Sequence, residues 1–114
     1  MKTKTLLTSV LLIALVVNGC KKSKDKPTPA TPGPNEVFMQ STAFSPASIT
    51  VSVNTTITWT NKDAVAHTVT SNTGLFDSGS ISSGGTYSRQ FTTAGTFSYH
   101  CSFHSGMTGT VIVQ

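Results

Sequence analysis

The sequence predicts an all-β domain, a two-sheet sandwich of about seven or eight short strands. Three observations predict it. Short runs from residue 36 onward alternate apolar with Ser or Thr, which is the period of a half-buried strand. Turn-forming clusters punctuate those runs at Asn54, Asn61-Lys-Asp63, Asn72-Thr-Gly74, Ser78-Gly79, Ser83-Gly-Gly85 and Ala94-Gly95. No helical repeat of useful length interrupts them.

Before that domain the chain changes character twice. Lys2 and Lys4 precede an apolar run from Leu6 to Val17, interrupted only by Thr8 and Ser9. The run is shorter than the ~20 residues of a spanning helix and suits a secretory signal. It ends in Val17-Asn-Gly-Cys20, which resembles a bacterial lipobox. Residues 1–19 are therefore expected to be a lipoprotein signal peptide, with Cys20 lipidated after export and the chain held at an envelope membrane. Residues 20–35 carry Lys21, Lys22, Lys24 and Lys26, then Pro-Thr-Pro-Ala-Thr-Pro-Gly-Pro. Proline removes ladder donors and blocks helix, so this stretch reads as a flexible tether. Residues 36–114 form the domain.

The formal charge of +4 is misleading as a clue to partners. Signal and tether hold six of the eight basic residues, leaving Lys62 and Arg89 against Glu36, Asp63 and Asp77, a net of about −1. No basic surface for nucleic acid is expected on the domain, and a monomer is expected.

Within the domain, Ile49, Val51 and Val53 alternate with Thr50 and Ser52. Ile57, Trp59 and Asn61 alternate with Thr58 and Thr60. His67 and Val69 share a face, so His67 points inward at a strand start. Strict alternation places Arg89 on the face of Tyr87 and Phe91, which requires either snorkelling past an edge or a bulge. Phe97, Tyr99 and Cys101 share the next inward face, and His100 points the other way. Gly106 and Gly109 are expected to turn the chain before Thr110–Val113 resumes a strand.

Cys101-x-x-His104-x-x-Met107 carries the chemistry. A site of two His and one Cys with a weak axial Met is the electron-transfer type of copper site. The loop provides one His, and His100 faces away from Cys101, so His67 is the second. The thioether argues for copper over zinc. Cys20 capped by lipid and Cys101 by copper leave no disulfide. No nucleophile elbow frames a serine, and a four-ligand site leaves no open position for a substrate, so an enzyme is not expected.

Residues 36–114 resemble the cupredoxins of the plastocyanin, amicyanin and pseudoazurin group. The resemblance rests on Phe44-Ser-Pro46 with Ile49-Thr-Val51, and on Thr58-Trp-Thr-Asn-Lys-Asp63 before His67-Thr-Val. It continues through Phe76-Asp-Ser-Gly79 and Ala94-Gly-Thr-Phe-Ser-Tyr-His-Cys101. It implies a Greek-key cupredoxin sandwich, one type 1 copper on His67, Cys101, His104 and Met107, and single-electron shuttling between a protein donor and acceptor. His104 would be the electron port, with Phe103, Ala64 and Val65 forming a docking rim around it. Two residues depart from the family pattern. Ser102-Phe103 lacks the proline common before the loop His, and Thr68 replaces an Asn that ties the two ligand loops. A tethered copper chaperone, store or sensor is the competing expectation.

Overall fold

The computed structural model describes residues 30–114, so the signal, Cys20 and most of the tether lie outside the described residues. A turn enters the domain: Glu36 N–H donates to Gly33 O at 3.1 Å, and Asn35 O accepts the Thr58 N–H at 3.0 Å. Eight strands follow, with no helix among the described residues. They are β1 (Glu36–Gln40), β2 (Ala43–Ser45), β3 (Ser48–Val51), β4 (Thr55–Asn61), β5 (Thr70–Ser71), β6 (Thr86–Phe91), β7 (Gly95–His100) and β8 (Thr108–Val113).

Two four-stranded sheets form, ordered β2-β1-β4-β6 and β3-β8-β7-β5. Both are mixed: β1 runs parallel to β4 and β3 parallel to β8, and the remaining pairs are antiparallel. Alternation explains the faces. Ile57, Trp59 and Asn61 of β4 are wholly buried, while Thr58 and Thr60 are half-buried on the other side. Trp59 sits at the centre of an aromatic cluster, with Tyr99 edge-on at 5.5 Å and Tyr87 tilted at 5.7 Å between centroids. Such contacts add to the burial of large rings, which is the main source of stability in a domain this small.

Two expectations are corrected, and the open alternative for Arg89 is decided in favour of snorkelling. Val53 lies beyond the end of β3 and is 37% exposed, so the alternation that begins at Ile49 stops at Val51. Strand β8 begins at Thr108, which puts Gly109 inside a strand opposite Tyr99 instead of in the turn. A Cβ there would meet the Tyr99 ring at 2.4 Å, so glycine is required by close approach. Gly106, at φ +83°, does make the turn. For Arg89 there is no bulge: it pairs in regular register with Ile57. Its guanidinium lies 4.9 Å from the centre of the Phe76 ring, so the charge is held on an aromatic face at the sheet edge.

Candidate metal centre

One end of the sandwich gathers the ligating residues. Three segments place them. Strand β7 ends at His100, and Cys101 is the next inward-facing residue, buried at the top of the core. The chain then doubles back: Cys101 N–H donates to Met107 O at 2.9 Å, and Met107 N–H to His104 O at 3.3 Å. That closure brings His104 over Cys101 and buries Met107. His67 arrives from the segment between β4 and β5, fixed by a two-way backbone bridge to Ile81 at 3.1 and 2.7 Å.

The donor atoms converge. His67 Nδ1, Cys101 Sγ and His104 Nδ1 lie within 4.8 Å of one another. The two Nδ1 atoms are 3.1 Å apart, and Sγ is 3.4 Å from His104 Nδ1 and 3.7 Å from His67 Nδ1. His67 is wholly buried, Cys101 nearly so, and His104 half-buried, so the cluster meets solvent on the His104 side. Two imidazole nitrogens and a soft sulfur, with a buried thioether on the same loop, fit copper.

Other residues hold these donors, and the sequence reading missed two of them. Asn61 is the buried last residue of β4. Its Nδ2 donates to Val65 O at 2.8 Å and Ile81 O at 2.9 Å, and its Oδ1 accepts Asp63 N–H at 2.9 Å. Asn61 therefore braces the loop that carries His67. Asp63 Oδ2 lies 2.7 Å from His67 Nε2. A carboxylate only accepts, so Nε2 carries the proton and Nδ1 keeps its lone pair for a metal. Asp63 also accepts Ser41 N–H at 2.7 Å and Thr42 N–H at 2.9 Å. Burial alone would raise the Asp63 carboxyl; the Thr42 amide, the His67 ring and the Ser41 amide outweigh it and hold it below the ordinary 3.8. The legible signal was the Asp63/His67 spacing of four across a turn.

Thr68 does tie the two ligand loops. Its N–H donates to Cys101 Sγ at 3.4 Å, and its hydroxyl accepts Ser102 N–H at 2.7 Å. His100 points away, with its Nδ1 on Asn72 Oδ1. Ala64, Val65 and Phe103 are exposed on the loops that carry His67 and His104.

A β-sandwich whose end loops gather this donor set defines the class of type 1 copper electron carriers. The comparisons agree at the level of family: the cupredoxin-like domain matches residues 8–113, and the chain belongs to the cupredoxins. Plastocyanin of Scenedesmus fuscus is 33% identical over 89 residues, covering 62% of this chain and 86% of that protein. Amicyanin of Paracoccus denitrificans is 36% identical over 69 residues, covering 56% of this chain and 53% of that protein. Among solved structures, a mutant amicyanin in its Cu(I) form superposes with a TM-score of 0.68 at 30% identity, over 75% of this chain and 86% of that one. A purple cupredoxin from Nitrosopumilus maritimus superposes at 0.64 with 30% identity, over 69% of this chain and 98% of that one.

Proposed function

We propose that the domain shuttles single electrons between protein partners at a bacterial cell envelope, with His67, Cys101 and His104 as the strong copper ligands and Met107 as the weak axial one. The observation that carries this is the approach of two Nδ1 atoms and one thiol sulfur at a buried end of the sandwich. Copper bound there supplies reversible one-electron exchange between Cu(II) and Cu(I). The chain's own contribution is rigidity. Asp63 fixes the His67 tautomer, Asn61 braces its loop, and Thr68 holds the Cys101 side, so the donors keep one arrangement through the redox change.

His104 is the electron port, because it alone of the three donors is half-exposed. Phe103, 54% exposed, with Val65 and Ala64, forms an apolar rim on which a redox partner docks without a large desolvation cost. The lipobox-like Val17-Asn-Gly-Cys20 supports export and a lipid anchor on Cys20, with the Lys- and Pro-rich stretch as its tether. The chaperone or store reading is disfavoured by the burial of His67 and Cys101, which slows handover of the ion.

A visible and EPR spectrum of the copper-loaded protein tests the assignment. An intense thiolate-to-copper band is expected, and Cys101→Ser is expected to abolish it while the domain stays folded. Persistence of the band in that variant overturns the ligand set.

A further inference from the structure

A hydroxyl chain leads from the Cys101 loop to an exposed carboxylate. Thr70 Oγ1 lies 3.2 Å from Asp77 Oδ1, 2.9 Å from Thr68 Oγ1 and 3.0 Å from Ser102 Oγ. A hydroxyl has one proton to give and two lone pairs to accept with, and a carboxylate only accepts. Thr70 must therefore donate to Asp77 and accept from both Thr68 and Ser102. The Thr68 oxygen in turn accepts Ser102 N–H at 2.7 Å. The direction of every bond follows from the anion at the end: Ser102 N–H to Thr68, Thr68 and the Ser102 hydroxyl to Thr70, Thr70 to Asp77.

We infer that Thr70 and Asp77 are positioning residues for the copper thiolate, acting through Thr68 and through the Ser102 hydroxyl. Thr68 touches the Cys101 segment twice, with its amide on Sγ and its hydroxyl on the next peptide N–H. That hydroxyl holds Ser102 only while its own proton is directed elsewhere, and Thr70 is the group that takes it. A threonine hydroxyl left without that acceptor turns its proton to another partner, because a hydroxyl rotates to suit its surroundings. Chains of this kind polarise one another, so the terminal carboxylate strengthens the far bond as well as the near one. Asp77 is itself fixed, accepting Gly79 N–H at 2.9 Å and bridging Thr70 through the backbone. The relay thus does with three side chains what a single longer amide side chain at position 68 would do alone. The Thr68 amide on sulfur favours the electron-rich thiolate, so loosening the relay weakens the preference for Cu(I).

The role rests on the copper reading above, but its first test does not. In copper-free protein, amide hydrogen exchange is measured by NMR for Thr70→Val and Thr70→Ser. Thr70→Val keeps the shape and removes the hydroxyl. It is expected to speed exchange at Ser102 about fivefold, the factor of one net hydrogen bond, with Val111 in the core unchanged. Thr70→Ser is expected to restore protection. In copper-loaded protein the same Thr70→Val variant is expected to shift the thiolate-to-copper band and lower the midpoint potential, and Thr70→Ser to reverse both. Asp77→Asn, which keeps an acceptor for Gly79, is expected to give a smaller rise in Ser102 exchange. Unchanged Ser102 exchange in Thr70→Val overturns the inference. So does an equal rise at Val111, which would mark a global loss of stability instead of a local relay.

Discussion

At the scale of single residues, Asp63 shows how an imidazole is oriented so that one ring nitrogen is left with its lone pair. Its carboxylate binds the outer nitrogen of His67 and two amides from the β1–β2 turn, where Ser41 and Thr42 both have positive φ. Non-glycine residues adopt that region at a cost, and two amides aimed at one anion offset it. Removing the carboxylate takes away the acceptor that fixes the His67 tautomer. Asp63→Ala is expected to weaken copper affinity by roughly 10- to 100-fold, the usual effect of losing such an outer partner. Competitive titration against a chelator of known affinity reads this directly, and near-normal affinity would show that burial alone orients the ring. Asp63 was hard to see in the sequence because Asn61-Lys-Asp63 reads as turn chemistry. Those residue types do make the turn, and the side chains of Asn61 and Asp63 also reach back to the loop that carries His67. Cys101 was legible because it follows Phe97 and Tyr99 on one face, and His67 because it shares a face with Val69 while His100 faces away.

At the scale of elements, β7 and β8 show where pattern reading succeeds and where it stops. The alternation of Phe97, Tyr99 and Cys101 identifies the inward face correctly, with Tyr99 and Cys101 buried and Phe97 packed against the core from partial burial. Nothing local says that Gly109 belongs to a strand, since Gly-Met-Thr-Gly reads equally as a turn. The reason lies across the sheet: Tyr99 pairs with Gly109, and its ring lies over the bare Cα. Gly109→Ala therefore forces the ring or the strand to move. Overpacking of this kind costs about 1–3 kcal/mol, and the contact distance of 2.4 Å is to a ring wedged against Trp59 and Phe44, which cannot yield cheaply. Denaturant melts of the copper-free domain check it; a loss under about 0.5 kcal/mol, the range of an ordinary surface change, would mean that Tyr99 swings aside freely. Arg89 teaches the same lesson. Its place on the inward face was visible, but the aromatic support of Phe76 and Phe91 comes from the packing of a distant loop and its own strand end.

At the scale of the whole molecule, Tyr99 ties the two sheets to each other. It belongs to β7 in one sheet and packs on Trp59 of β4 in the other, with Phe44 of β2 edge-on at 4.7 Å. Its hydroxyl is buried without a hydrogen-bond partner, as is the Trp59 indole nitrogen. Burial pushes the Tyr99 pKa up to about 12, and the neighbouring indole only eases the rise. The sign of the consequence follows from proton counting. Below pH 10 both folded and unfolded chains keep the phenol protonated, and stability is unaffected. Between pH 10 and about 12 the unfolded chain releases this proton while the folded one retains it, so stability falls as pH rises. A rise of that size is worth roughly 3 kcal/mol at most. Tyr99→Phe keeps the ring and removes the ionising group, and it also removes an unpaired buried hydroxyl. The variant is expected to match or exceed the parent near neutral pH and to lose less stability from pH 9 to 12. Urea unfolding of the copper-free domain at the two pH values measures the difference, since every other titrating group is common to both chains. Parallel losses in the two proteins would mean that Tyr99 ionises in the folded state as readily as in the unfolded one, and that the space between the sheets admits water at its centre.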